Sequence, residues 1–409
     1  MIHLEGNNRP VADEVDVTVF EVVGKLPADL VGTYYRNGPN PRSGWSPHLF
    51  TGDGMVHAVC LPDGSYRNRY VRTPLFDDPT TPRDGELVTT ANTHVIDCDG
   101  RLLALEEGGL PYELTAALDT VGPYRFDGGL RGAMTAHPKR CPVTGELLCF
   151  SYSIRPPYLT YHHWDGTTLT SHPIDLPCCS MMHDFAITSS KVVFFDSPFV
   201  FDGSPWRWSE SHGARVGVMD RRGGDVRWID VQPAHLSHSA NAYDDGSAVV
   251  LTGTRLDGPE ALPVMHEWRI DVSTGAVSER PLDDISTEYP RVPDALVGRS
   301  NRFTYTSSFF FVAEPDHGEI NKHAGDERTT HRLPVGHTCG EPVFVSRADA
   351  ETEDDGYLLS FAHDRATDRS YLLVLDAVSL DELAEVWLPV RVPGGFHGTW
   401  VPAPHPADR

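Results

Sequence analysis

The feature that most constrains this chain is a unit that recurs along it: a tight turn built on Gly and Asp, then a short run rich in Val, Leu, Phe, Tyr and Thr. It appears in LPDGSYRNRYVRT (61–73), CDGRLLALEE (98–107), PVTGELLCFSYS (142–153) and WDGTTLTSHPI (164–174). It returns in RRGGDVRWIDV (221–231), DDGSAVVLTGT (244–254), DVSTGAVSER (271–280) and EDDGYLLSFAHD (353–364). Gly and Asp accept the backbone angles of a reversal, and β-branched and aromatic residues suit the pleated surface that follows. Each unit therefore predicts a turn and then a strand of about five to seven residues. The 33 prolines are spread through the chain and leave little room for long helices. Only 114–119 and 380–385 read as short helical stretches.

No charge run or low-complexity stretch marks a linker, so residues 1–409 read as a single domain. Many short antiparallel strands without a break point to a closed or radially repeated all-β fold. A propeller of six to eight blades would use roughly 50–65 residues per blade. No WD or kelch signature repeats, so the pattern alone leaves arrays of sandwiches open.

Charge and composition exclude several function classes. Acidic residues outnumber basic ones 58 to 34, a formal net charge of −24. Such a surface repels phosphate backbones and anionic headgroups, so no nucleic-acid partner and at most transient membrane contact are expected. With 40% hydrophobic and 22% charged residues, a packed core can form. No run approaches the ~18 apolar residues of a membrane helix. The opening MIHLEGNNRPVADEVD lacks the basic and apolar regions of a secretory leader, and a cytoplasmic location is expected. The seven cysteines are odd in number, scattered and free of any C-x-x-C spacing. They read as buried or neutral thiols in a reducing compartment, neither a disulfide framework nor a zinc site. The aromatic stretches 197–208 and 306–315 read as core strand and loop rather than as lipid-binding patches.

Four of the 20 histidines have unusual settings. His137 lies in TAHPKRCPVTGEL, His183 in SMMHDFAIT, His238 in HLSHSANAYDDG and His397 in GGFHGTW. They are separated by 46, 55 and 159 residues, and no helix or hairpin unites such positions. Only a fold that returns repeatedly to one axis does so, as the inner strands of a propeller do. Taken singly, each is better read as a capping or hydrogen-bonded histidine beside a turn. Spacing alone gives no metal.

The ordered motifs resemble those of the carotenoid cleavage oxygenase family, which includes apocarotenoid oxygenases, lignostilbene dioxygenases and the retinal pigment epithelium isomerohydrolase. The resemblance covers residues 32 to 400. It rests on GTYYRNGPNP (32–41), FTGDGMVHAV (50–59), TAHPK, MMHDFAIT, HSANAYDD, EYPRV (288–292), GEPVFV (340–345) and GFHGTW. Six or more matches in order are far more specific than any single short motif. The resemblance implies a seven-bladed β-propeller, with a roof of loops and short helices over an axial non-haem Fe(II). It implies His137, His183, His238 and His397 as ligands. It also implies three active-site glutamates that hold the ligands' second ring nitrogens: Glu107 for His183, Glu288 for His238 and Glu341 for His397. Imidazole suits Fe(II), and four neutral ligands leave two positions for dioxygen and substrate. A carboxylate on the far nitrogen fixes each ring.

The activity implied is insertion of O2 across a carbon–carbon double bond of an apocarotenoid or related apolar alkene, giving two carbonyl products. Two readings compete with it: a stilbene- or phenylpropene-cleaving branch of the same fold, and a metal-containing propeller that only binds. An isomerase use of the same iron is a further variant. The full set of four histidines and three glutamates disfavours the binding module, and calcium, which prefers oxygen ligands, fits worse still. Glu106 stands where the stilbene-cleaving branch carries a lysine that engages the substrate phenol. It reads either as a cavity residue that contacts a polar group of the substrate or as a residue turned outward. Tyr70 in RNRYVRT is a candidate phenol partner. His235 lies three residues before His238, but the spacing H-x-x-N-A-Y selects His238, with Asn241 and Tyr243. His57 is placed near the inner ring. His162, His163, His235, His266, His323, His331, His337 and His363 read as loop or surface residues.

Overall fold

All eight turn-and-strand units are a turn or bend followed by a strand in the computed structural model, which describes residues 2–18, 21–82, 88–201, 203, 206–308 and 315–403. The strands are Ser65–Tyr70, Arg101–Leu105, Leu147–Tyr152, Leu169–Ile174, Arg227–Val231, Ala248–Leu256, Val277–Pro281 and Gly356–Asp364. The clearest period-two pattern is in Ser65–Tyr70, where Tyr66, Asn68 and Tyr70 are buried and the residues between them are not. Gly356–Asp364 is buried along its whole length, as a strand covered on both faces must be.

Two expectations need correction. Neither short helical stretch is a helix. Residues 115–119 close a turn, with Thr115 N donating to Asp119 O at 2.9 Å, and 380–385 run into the strand Glu382–Trp387. Leu118 and Leu380 have φ of 66° and 63°, which a right-handed helix cannot contain. Several histidines assigned to loops or the surface are buried: His162, His235, His266, His323 and His363. A neutral imidazole is cheap to bury when hydroxyls satisfy it. His162 lies in the strand Leu159–Trp164 between Ser151 Oγ at 3.1 Å and Ser171 Oγ at 2.8 Å, and burial pushes its pKa down to about 4. His57 is likewise buried, 2.8 Å from the Tyr66 hydroxyl. In the aromatic stretch 197–208, Phe199 packs edge-on against Trp208 across a strand pair. Residues 309–314 of the second aromatic stretch lie outside the described residues.

The chain forms two compact units. The first comprises Met1–Tyr124, Tyr305–Lys322 and Arg328–Arg409. In it the strand Gly398–Pro402 pairs antiparallel with Gly32–Pro39, and Glu21–Gly24 pairs with Glu382–Trp387, so early and late segments of the chain are stitched together in its sheets. Gly356–Asp364 is shared by His337–Cys339 and Val343–Ser346, and Glu341 sits in the link between those two strands. Leu30, Tyr34, Val59, Leu61, Leu359, Leu372, Val374 and Val386 form its main core.

The second unit comprises Arg125–Thr304 and His323–Glu327. Three four-stranded antiparallel sheets follow one another along its chain, starting with Lys139–Arg140, Ala186–Ile187 and His235–Asp245. A three-stranded sheet of Cys179–Ser180, Phe199–Phe201 and Arg207–Trp208 lies among them. Apolar residues of successive sheets interdigitate, as Phe195, Val216, Leu236, Leu251 and Trp268 do. His137 and His183 lie just before the first strands of two sheets and His238 within the first strand of the third. That repetition is what sets these histidines at equivalent places. The strand Thr287–Arg291, which carries Glu288, packs against His235–Asp245.

Candidate metal centre

In the second unit three imidazoles converge. His137 Nε2 lies 3.1 Å from His183 Nε2, which lies 3.2 Å from His238 Nε2. The proline after His137 disfavours helical backbone angles there, and the His137 N–H donates to Thr135 Oγ1 at 3.1 Å. His238 sits where the pairing of His235–Asp245 with Ala248–Leu256 slips at Leu236/Ser239 and again at Ser239/Asn241. Such bulges re-aim a side chain out of the regular pleat. His235, outside the slip, instead brings Nδ1 to 2.9 Å from Ser197 Oγ, and burial pushes its pKa down to about 3. Asn241 holds the loop beyond Glu288, donating to Leu296 O and Arg299 O and accepting from Gly298 N.

The slip leaves no room opposite. A Cβ on Gly253 would meet His238 O at 2.5 Å and Leu236 Cδ1 at 2.7 Å. Gly253→Ala is therefore expected to destabilise the unit by about 1–3 kcal/mol and to lower metal content. Denaturant unfolding and metal analysis check this; unchanged stability would mean that the bulge yields freely.

His238 is fixed at both ends. Its N–H donates to Thr254 Oγ1 at 3.0 Å, and its Nδ1–H donates to Glu288 Oε2 at 2.7 Å. Thr254 Oγ1 and Tyr289 N also donate to Glu288 Oε2, at 3.1 and 2.9 Å. Burial pushes the Glu288 carboxyl up, but the charge that His238 carries when protonated, with the hydrogen bonds of His238, Ser237 and Tyr289, outweighs it and holds the pKa at about 2. With its proton on Nδ1, neutral His238 presents a lone pair at Nε2. Tyr289, buried and next to Glu288, has φ of 55°. That conformation is costly for a bulky residue and is maintained only where its surroundings dictate it.

Sequence reasoning missed the residue that ties these segments together. Asp184 is buried between all three histidine segments. Its Oδ1 lies 2.8 Å from Lys139 Nζ, two residues past His137, and its Oδ2 accepts from Ser239 N and Oγ at 2.8 and 2.9 Å, one residue past His238. Burial pushes its carboxyl up, and Lys139, His238 and the Ser239 N–H more than offset this, leaving it below the ordinary value. The only signal was that Asp184 adjoins His183 in the MMHDF run. For Thr254 there was none.

In the first unit, His397 Nδ1–H donates to Glu341 Oε1 at 2.9 Å, and Gly398 N donates to Glu341 Oε2 at 2.7 Å. His397 N also donates to Thr93 O, and its carbonyl accepts from Asn37 N. Glu106 and Glu107 follow the strand Arg101–Leu105 in a turn, both part-buried. Glu106 Oε2 accepts from Thr89 Oγ1 at 2.8 Å. Tyr70 uses its phenol oxygen in both directions, accepting from Asn40 Nδ2 at 2.6 Å and donating to Val11 O at 3.1 Å. Burial pushes its pKa up to about 12, so it stays neutral.

The donor set fits a metal ion. Imidazoles that hold a metal at about 2.1 Å and at right angles put their ring nitrogens about 3 Å apart, the spacing seen in the second unit. His137, His238 and His397 are buried, and each offers a ring nitrogen suitable for a metal ion. Neutral nitrogen donors suit iron, zinc, copper or nickel and not calcium.

A family model described as "Retinal pigment epithelial membrane protein" matches residues 8–402. A protein from Mycobacterium tuberculosis (strain ATCC 25618 / H37Rv) named carotenoid cleavage oxygenase is 37% identical, over 98% of this chain and 97% of its own. A carotenoid 9,10(9',10')-cleavage dioxygenase from Crocus sativus is 32% identical, over 98% of this chain and 89% of its own. The solved lignostilbene dioxygenase of Pseudomonas brassicacearum superposes with a TM-score of 0.90 at 28% identity, covering 98% of both chains. Cobalt-substituted ACO of Synechocystis superposes with a TM-score of 0.87 at 26% identity, covering 96% of this chain and 97% of its own. The alignment with the Mycobacterium protein runs over 487 positions against 409 residues here, so that relative has internal segments this chain lacks.

Proposed function

The chain belongs to the carotenoid cleavage oxygenase family, shares the all-β propeller fold of its solved members and is a dioxygenase; from this premise we propose that it is an Fe(II) enzyme that cleaves a carbon–carbon double bond of an apocarotenoid or related apolar alkene with O2, giving two carbonyl products. The observation that carries the reading is the convergence of His137, His183 and His238 at their Nε2 atoms, with His238 held by Glu288. In this proposal His397, held by Glu341, is the fourth ligand, and Glu107 holds His183. When bound, Fe(II) supplies the redox chemistry that dioxygen needs to react with a closed-shell alkene.

The protein's own part is to hold and orient. Glu288 and Glu341 keep the Nδ1 protons of His238 and His397 in place, so Nε2 of each ring stays unprotonated and aimed. Asp184 keeps three ligand segments in register. The buried setting of these side chains limits water at the site.

The stilbene- or phenylpropene-cleaving reading is the alternative, favoured by the likeness to the Pseudomonas brassicacearum enzyme. Against it stands Glu106, a carboxylate bonded to Thr89 in place of a lysine. We place the protein in the cytoplasm, because its seven cysteines are all free. No helix among the described residues is long and apolar enough to cross a membrane, and any lipid contact is taken as transient.

Anaerobically purified protein tests the proposal through metal analysis and O2 uptake with apocarotenals, stilbenes and vinylphenols. The expected result is one iron per chain, with O2 uptake and paired carbonyl products from the apocarotenals. Products from stilbenes alone would move the assignment to the alternative branch. No iron after reconstitution would overturn both.

A further inference from the structure

A second constellation of reactive side chains is built around the three-stranded sheet of the second unit. Cys178 enters the strand Cys179–Ser180, part-exposed between Pro177 and the buried Cys179. Its sulfur lies 3.6 Å from His212 Nδ1. His212 Nε2 lies 2.9 Å from Asp196 Oδ1. Asp196 ends the strand Lys191–Asp196 and is fully buried. Its other oxygen accepts from the guanidinium of Arg215, its partner in register on Ala214–Asp220.

The order of these groups fixes the protons. A carboxylate only accepts, so the proton of neutral His212 lies on Nε2, and Nδ1 turns its lone pair to the thiol. Burial pushes the Asp196 carboxyl up, but hydrogen bonds from His212 and Arg215 outweigh it and keep its pKa below the ordinary value. The neighbouring Cys179 thiol is pushed up to about 11, by burial and by Cys178, and stays neutral. Nucleophile, base and orienting carboxylate stand in the sequence that activates a cysteine.

We propose that Cys178 is a nucleophilic thiol, deprotonated by His212 and oriented through Asp196, that takes conjugated carbonyl compounds as covalent ligands. The thiol proton passes to His212 Nδ1, and the sulfur lone pair forms a C–S bond at the β-carbon. The electron pair of the C=C bond moves to the α-carbon, which takes the proton back from His212. Nothing is oxidised and no group leaves, so the triad suffices without a co-reactant. Acyl transfer would also require a pocket of donors for an oxyanion. Cleavage of a conjugated polyene releases conjugated aldehydes, and only this link to the enzyme's products rests on the proposed function. The nucleophilic site itself does not depend on it.

The test treats the full-length protein with iodoacetamide and, separately, with trans-2-hexenal, and follows each cysteine by peptide mass spectrometry. Cys178 is expected to react with iodoacetamide about tenfold faster than Cys60, the other part-exposed thiol, and to add one whole hexenal. His212→Gln, at unchanged circular dichroism, is expected to slow Cys178 about tenfold and to leave Cys60 as it was. Equal rates for Cys178 and Cys60, or an unchanged rate in His212→Gln, would overturn the activated thiol. Should that variant not fold, the ratio within the wild-type protein decides. Fast alkylation without a hexenal adduct would overturn the ligand class. Both probes are supplied from outside, so failure of the O2 assay and failure of this one are separate results.

Discussion

Glu288→Ala is expected to weaken metal binding about 10–100-fold, measured by competition with a chelator under anaerobic conditions. Glu288 is buried and anionic, and three donors meet on its Oε2: His238 Nδ1, Thr254 Oγ1 and Tyr289 N. Its removal frees the His238 ring to rotate or to carry its proton on Nε2, where a metal cannot bind. Glu288→Gln keeps the shape and an acceptor for Nδ1–H but loses the charge. Its affinity should fall between those of wild type and alanine. A folded Glu288→Ala protein that binds metal as tightly as wild type would show that His238 is oriented by its backbone alone.

Asp184→Ala is expected to be the most damaging single change for stability, costing about 3–5 kcal/mol. The substitution leaves Lys139, a part-buried ammonium, without the carboxylate 2.8 Å away, and Ser239 N without its acceptor. An uncompensated charge and an unsatisfied buried amide are each destabilising, and here they coincide. The double variant Asp184→Ala/Lys139→Met removes the stranded charge and should recover part of the loss, since the two residues are in contact. Denaturant unfolding of the metal-free proteins separates this effect from metal binding. If the single variant is as stable as wild type, Asp184 does not tie the histidine segments together.

Much of the fold could be read without a structure because its signals are local. A turn such as Asp99–Gly100 needs residues that accept positive φ, and both have it, at 54° and 80°. The strand behind it follows within two residues. Short helical stretches were misread for the complementary reason: six residues hold too little information to outweigh pairing, and Glu382–Trp387 is bound on both sides by Glu21–Gly24 and Arg369–Asp376. The histidines show the boundary between the two kinds of knowledge. Their motifs, matched in order, pointed to a family, whereas composition and spacing pointed to no metal.

What the amino-acid sequence determined by itself was the all-β class, the turns and strands, the acidic surface and the ordered motifs. Each of these is set by a few consecutive residues or by their sum. The tertiary structure decided which side chains meet. It turned His238 toward His183 and Glu288, and His235 toward Ser197, through a slip in strand register. It set Asp184 between Lys139 and Ser239, and it aligned Cys178, His212 and Asp196. Those meetings depend on pairings between strands tens of residues apart, and the burial of each neutral imidazole or ionised carboxylate is tolerable only because of the partner that the fold brings to it.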